Sequence, residues 1–329
     1  MWIGFVFRYV FRSSDFEVCS YSSNVLGGPQ IFFRAALYST PGYKHSRGAM
    51  IEVSGLTKRY AAFTAVTDLS FSVKPGEVMG LVGPNGAGKT STLRCLAGII
   101  PPSAGIIHVC GHDLATNPVA AKRELAFFPD EPRLFEYLTV WQHLAFVSRV
   151  YHVANWEASA QPLLEELEIA DKANALPGEL SRGMKQKLAI ACGLIHSPRV
   201  IFLDEPLTGL DPIGIRRMKD TILRRAREGA AILLSSHLLH LLEEVCTHVL
   251  ILKNGQKIAD GSLAEVTQRF SADGGPGANL EDVFFRATAA SSPAEAPAAP
   301  PIIALPLPTT VEQPPVSSEN RVVEDSPKN

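Results

Sequence analysis

No apolar run in this 329-residue chain approaches the roughly 18 residues needed to cross a bilayer, so the sequence offers no candidate membrane span. The N-terminus also lacks the long apolar core and small-residue cleavage site of a secretory leader. Neither sign of charge dominates: 31 Lys and Arg against 33 Asp and Glu leave a net charge of −2. That balance supplies none of the basic surplus on which nucleic-acid binding draws, so no nucleic-acid partner is expected. No heptad array runs through the chain, which excludes long coiled-coil arms. The five cysteines, Cys19, Cys95, Cys110, Cys192 and Cys246, show neither paired nor metal-like spacing. Three fall in apolar runs and read as small buried side chains, and a reducing compartment is the natural setting.

The two ends are poor in the patterns that build a core. Residues 1–49 begin with aromatic and apolar residues broken by Arg8 and Arg12, then become rich in Ser and Tyr. Their Arg/Ser bias suggests a transit peptide, against which Asp15 and Glu17 count. Clean strand alternation opens only at Met50-Ile51-Glu52-Val53, so the working domain is expected to span 50–286, with 1–49 an over-extended gene start. From about Ala287, residues 287–329 are rich in Ala, Pro, Ser and Val without periodicity, which predicts a disordered tail.

What is present is organised around Gly83-Pro84-Asn85-Gly86-Ala87-Gly88-Lys89-Thr90-Ser91, a match to the phosphate-loop pattern G-x-x-x-x-G-K-[ST]. Val78–Val82 before it has the length of a buried strand, and Leu93, Leu96, Ala97 and Ile100 after it recur at helical spacing. In that strand–loop–helix context, Gly83, Gly86 and Gly88 let the backbone approach an anion, and successive N–H groups cradle phosphates at the helix start. Lys89 supplies a point charge for the outer phosphates, and Thr90 a hydroxyl for Mg²⁺. These residues imply binding of a nucleoside triphosphate.

The remaining pattern predicts an α/β fold. Short alternating segments between Met50 and Lys74 suggest a small antiparallel sheet, and Ile106–Val109 a further strand before a turn at Cys110-Gly111. Leu125–Phe128, Val200–Leu203 and Ala231–Leu234 are continuous apolar runs, the mark of strands buried on both faces. Between the first two, residues 131–180 offer no strand. Thr139 can cap one helix there, and a second spans about Trp156–Ile169. Ser181 precedes a helix through Leu188, Ile190, Ala191 and Leu194. Asp211-Pro212 opens another that stops at Gly229. Asn254-Gly255 marks a hairpin between Val249–Leu252 and Lys257–Ala259.

Four further residues carry candidate chemistry. Asp204 and Glu205 end a buried strand, where one carboxylate can orient Mg²⁺ and the other can accept a proton from attacking water. His237 lies just past another strand end and is either a γ-phosphate contact or a structural histidine. Tyr60, upstream of the loop, is either an aromatic platform for an adenine ring or an ordinary strand tyrosine.

Leu180-Ser181-Arg182-Gly183-Met184-Lys185-Gln186, followed by IFLDEPLTGLDP and ILLSSH, resembles the ATP-binding subunit of an ATP-binding cassette (ABC) transporter. The similarity covers about Met50 to Arg286. It implies a RecA-like P-loop core with an antiparallel β subdomain and a helical subdomain. It further implies that Tyr60 stacks adenine, Glu205 is the catalytic base, and His237 is the γ-phosphate switch. Two such subunits would pair head to tail, with ATP between one phosphate loop and the other subunit's Ser181 and Gly183, and with Asp211 communicating across the dimer. The implied partner is a separate transmembrane permease that holds the chain at the cytoplasmic face of the membrane. LSRGM in place of the common LSGGQ, and Leu280-Glu281-Asp282-Val283-Phe284 near the end, resemble the group that pairs with small permeases, often exporters. Asp130 stands where the family usually has a glutamine that bridges magnesium to the permease contact. The rival reading is an ABC-type ATPase acting on ribosomes or DNA. Those usually carry two cassettes or coiled-coil arms. A soluble kinase is a third reading, but it would have no use for the signature motif Leu180–Met184 and the helix that follows it, the signature helix.

Overall fold

The computed structural model describes residues 48–208, 210–270 and 280–290. The readings of 1–47 as a gene-start extension and of 291–329 as a disordered tail lie outside these residues. In chain order the strands are β1 (Ile51–Tyr60), β2 (Phe63–Val73), β3 (Val78–Val82), β4 (Ala104–Val109) and β5 (His112–Asp113). They continue with β6 (Leu125–Phe128), β7 (Val200–Asp204), β8 (Ala231–Ser235), β9 (His248–Lys253) and β10 (Gln256–Ser262).

The continuous apolar runs become the central strands of a six-stranded sheet ordered β10-β9-β3-β8-β7-β6. Its five strands from β9 to β6 pair in parallel, and β10 returns antiparallel at the edge. Alternation along each strand feeds two cores. Val78, Val82, Ala126, Phe128, Ile201 and Leu203 face one, whereas Met79, Leu81, Leu125, Phe127, Val200 and Phe202 face the other. The helices Val140–Val150, Trp156–Glu166, Arg182–Leu194 and Pro212–Arg227 cover the first face. The helix Lys89–Leu96 and the antiparallel sheet β2-β1-β4-β5 cover the second. Burial on both sides explains why these strands read as unbroken apolar runs, each large side chain contributing about 1.5–3 kcal/mol.

Both predicted turns have the backbone that their residues favour. Cys110 and Gly111 take φ of 49° and 79° between β4 and β5, and Asn254 and Gly255 take 50° and 75° between β9 and β10. Residues 131–180 contain no strand, and Thr139 caps its helix in a reciprocal box with Gln142. Two helix ends differ from expectation. The second helix of this segment stops at Glu166 rather than near Ile169, because Glu168 turns left-handed at φ 56°. The Ile169 and Glu168 N–H groups then close back on the Leu164 and Glu165 carbonyls, a Schellman ending. At the other end of the chain, the helix Leu280–Ala290 runs four residues into the segment expected to be disordered from 287. The alanines there are the best helix formers and propagate it. A short helix, Pro118–Arg123, had no counterpart in the sequence reading.

Candidate active site

The site forms where β3, β8 and β7 lie side by side and end together. The chain leaves β3 into the phosphate loop and re-enters a helix at Lys89. Gly88, at the helix N-cap, has φ 101°, and a Cβ built there would stand 2.4 Å from the Ala65 carbonyl oxygen. Only glycine fits both the dihedral and the gap. Lys89 is buried and donates from Nζ to the carbonyls of Gly83 at 2.6 Å and Pro84 at 3.2 Å. Burial lowers its pKa, while Glu205 and Asp204 act in the opposite direction.

From β7 comes Asp204, whose Oδ1 accepts hydrogen bonds from Thr90 Oγ1 at 3.3 Å and from Ser235 Oγ at 2.8 Å. Two strand ends and the start of the phosphate-loop helix are thereby tied through one carboxylate oxygen. Ser235 had been given no role from sequence; its signal was a polar residue closing the apolar run of β8. The next residue, Glu205, takes a left-handed φ of 52° and is held by its N–H to the Ser235 carbonyl and hydroxyl. Its Oε2 accepts from the His237 backbone N–H at 3.3 Å and pairs with His237 Nδ1 at 2.8 Å. The structure thus brings Lys89, Thr90, Asp204, Glu205 and His237 together.

Burial raises the Asp204 pKa; the Ser235 and Thr90 bonds pull it down, and Glu205 adds to the rise. A folded-state pKa above the unfolded value means that the ionised carboxylate destabilises the fold once pH exceeds that value. Asp204→Asn is therefore expected to raise Tm at pH 7, by an amount that shrinks as pH falls and Asp204 takes up its proton. A Tm that drops at pH 7 would mean that the fold relies on this charge.

The other candidates sit around this centre. Tyr60 is 43% exposed at the end of β1, its hydroxyl 3.4 Å from Ser91 Oγ and the Lys58 ammonium 4.9 Å from its ring centre. Asp130, just beyond β6, lines a cavity of about 490 Å³ together with Thr90, Arg94, Arg133 and Asp204. Ser181 and Asp211 are both exposed N-caps, accepting from the Met184 and Gly214 N–H groups at 3.2 and 2.8 Å. Their hydrogen bonds stay within their own helix starts. Gly183 lies behind Ser181, with Leu210 Cδ2 3.9 Å from where a Cβ would stand.

The donor set suits a triphosphate and a hard cation. The loop packs so closely on β2 that no side chain fits at Gly88, the Lys89 ammonium lies beneath it on the Gly83 and Pro84 carbonyls, and the Thr90 hydroxyl and Asp204 carboxylate offer adjacent oxygens. Among the described residues no cluster of three or more His, Cys, Asp or Glu could form a metal cage by itself. An ion here would share its coordination with phosphate and water, as Mg²⁺ usually does.

Comparison with known proteins agrees with this arrangement. A model of the family described as ABC transporter matches residues 66–208. The chain is 32% identical over 242 residues to the ABC-type transporter ATP-binding protein EcsA of Bacillus subtilis, covering 73% of this chain and 97% of that protein. It is 40% identical over 216 residues to the Nod factor export ATP-binding protein I of Burkholderia thailandensis, covering 65% of this chain and 71% of that protein. A solved ATP-binding subunit of an ABC transporter superposes with a TM-score of 0.69 at 34% identity, covering 73% of this chain and 99% of that one. A nucleotide-free cassette at 22% identity and TM-score 0.57 shares the fold.

Proposed function

Since the chain belongs to the ATP-binding subunits of ABC transporters, we propose a residue-level division of labour for the ATP hydrolysis with which it powers transport. The observation that carries it is the convergence of Lys89, Thr90, Asp204, Glu205 and His237 at three adjacent strand ends. Residues 83–91 cradle the phosphates, with Lys89 neutralising the outer ones. Thr90 and Asp204 would hold Mg²⁺, and Asp130 in the cavity wall would reach it through a water. The chemistry such an ion would supply when bound is withdrawal of charge from the phosphate oxygens. Glu205 accepts the proton of a water whose oxygen attacks the γ-phosphorus. The bond to the β,γ-bridging oxygen breaks, leaving ADP and phosphate. His237, paired with Glu205 through Nδ1, contacts the γ-phosphate with its ring. Tyr60 stacks the adenine from the exposed end of β1.

The exposed starts of the helices at Ser181 and Asp211 support a head-to-tail dimer. There Ser181 and Gly183 meet the second subunit's nucleotide, and Asp211 lies at the seam. No helix of the described residues is long and apolar enough to cross a membrane. We therefore assign the translocation path to a separate permease, which would hold this chain peripherally at the cytoplasmic face. The relatives named for Nod factor export favour an exporter.

Purified protein is expected to hydrolyse ATP with a Mg²⁺ requirement. Co-expression with a polytopic membrane protein encoded nearby should move it to the membrane fraction and raise that turnover. Absence of hydrolysis in both settings would overturn the reading. A metal contact for Asp130 further predicts that Asp130→Gln and Asp130→Ala both shift the Mg²⁺ requirement of the ATPase upward, Ala at least as much as Gln. Unchanged curves would reduce Asp130 to a turn residue beside Pro129.

A further inference from the structure

Two of the departures from the common family pattern, Arg182 and Asp130, meet in space. Arg182, the first residue of the helix Arg182–Leu194, brings its guanidinium within 3.9 Å of Asp130 Oδ1. That oxygen is covered from solvent and accepts no hydrogen bond, although the Asp130 side chain as a whole is half-exposed. The same residue lines the cavity of Thr90 and Asp204. The Asp130 carboxylate therefore borders both the Arg182 guanidinium and the cavity proposed above for a divalent ion. Carboxylates bind guanidinium strongly when two short parallel hydrogen bonds form, and at 3.9 Å none does. An exposed pair of this kind adds little to the stability of the fold, so it opens at little cost. A hard divalent cation is the stronger competitor for the oxygen.

We propose that Arg182 is a positioning residue that holds the Asp130 carboxylate away from the metal site, so that Mg²⁺ arriving with nucleotide competes with Arg182 for that carboxylate. The proposal rests on the reading of this site as a Mg²⁺–ATP site. By reciprocity, whatever engages Arg182 from outside must favour the metal by the same factor by which the metal favours release of Arg182. Ser181 immediately precedes Arg182 and caps the same helix. Arg94, Glu131 and Arg133 also face the cavity, and they stay constant in the comparison below.

The test uses the full chain and a non-hydrolysable fluorescent ATP analogue, with the half-saturating Mg²⁺ concentration for analogue binding as the readout. Arg182→Ala is expected to lower that concentration by roughly 2- to 5-fold, the range open to an exposed ion pair. Arg182→Lys should keep most of the wild-type value. In an Asp130→Ala background, Arg182→Ala should have no effect. If Arg182→Ala matches the wild type, or raises the concentration, the competition is wrong. If its effect persists undiminished without Asp130, Arg182 acts only as a distant charge and the competition is equally wrong. Absence of any Mg²⁺-dependent binding in the unmodified chain would instead remove the nucleotide reading itself, and this proposal with it.

Discussion

Replacing Glu205 by glutamine is expected to cut ATP turnover by about 10²-fold or more while ATP still binds. The substitution leaves the site's geometry in place. Gln keeps an oxygen that can accept from the His237 N–H groups, as Glu205 Oε2 now does at 3.3 and 2.8 Å. The backbone bonds from Glu205 N–H to Ser235 do not involve the side chain and should persist. What is lost is the carboxylate's ability to take a proton. A 10²-fold loss corresponds to about 2.7 kcal/mol of transition-state stabilisation, more than a neutral hydrogen bond usually contributes, and the His237 comparison separates it from loss of the charged bond. Binding of ATP without turnover should also trap the proposed dimer, visible as a shift to twice the mass on sizing with Mg²⁺ and ATP. His237→Ala provides the comparison, since it removes the ring paired with Glu205 but leaves the base. Wild-type hydrolysis by Glu205→Gln would take Glu205 out of the mechanism.

Much of this arrangement was legible because the signals are local. Val200–Asp204 and Ala231–Ser235 are apolar throughout save for their last residues, and those last residues, Asp204 and Ser235, make the shared hydrogen bond of the site. A strand buried on both faces leaves polar residues nowhere to sit but its ends, so a carboxylate there is conspicuous in sequence. The cap at Thr139 and the Asn254-Gly255 turn are likewise decided within four residues. What stayed hidden depends on non-local pairing. Strand β4 follows the phosphate-loop helix in sequence yet pairs with β1, a choice that no periodicity records. Arg182 and Asp130 looked like two unrelated departures from a family pattern, and only the packing of the signature helix against the end of β6 makes them neighbours. Glu168 escaped notice for a different reason. A left-handed helix ending at a residue other than glycine has no composition signal, since Glu adopts it under tertiary constraint rather than by preference.

Two glycines of the phosphate loop, two residues apart, are expected to respond very differently to the same substitution. Gly86 has φ 81° and Gly88 φ 101°, so an alanine at either must adopt a left-handed backbone at a cost of order 1–3 kcal/mol. The surroundings then separate them. A Cβ at Gly86 would meet nothing within 4 Å. A Cβ at Gly88 would stand 2.4 Å from the Ala65 carbonyl oxygen and 3.1 Å from a Val66 methyl. Neither neighbour can yield cheaply: Ala65 and Val66 are buried in β2, and Val66 packs in the core beneath the loop. Relief must come from the loop or from the strand, and movement of the loop would displace Lys89 and Thr90, the next two residues. Gly88→Ala is therefore expected to lower stability by about 3 kcal/mol or more and to abolish ATP binding at concentrations that saturate the wild type. Gly86→Ala should keep ATP binding within about 10-fold of wild type, since strain near 1 kcal/mol corresponds to less than that factor. Thermal melts and fluorescent-nucleotide titration of the two variants side by side supply the measurement. Equal losses at both positions would mean that the dihedral alone, and not the approach of β2, sets the requirement for glycine at the start of this helix.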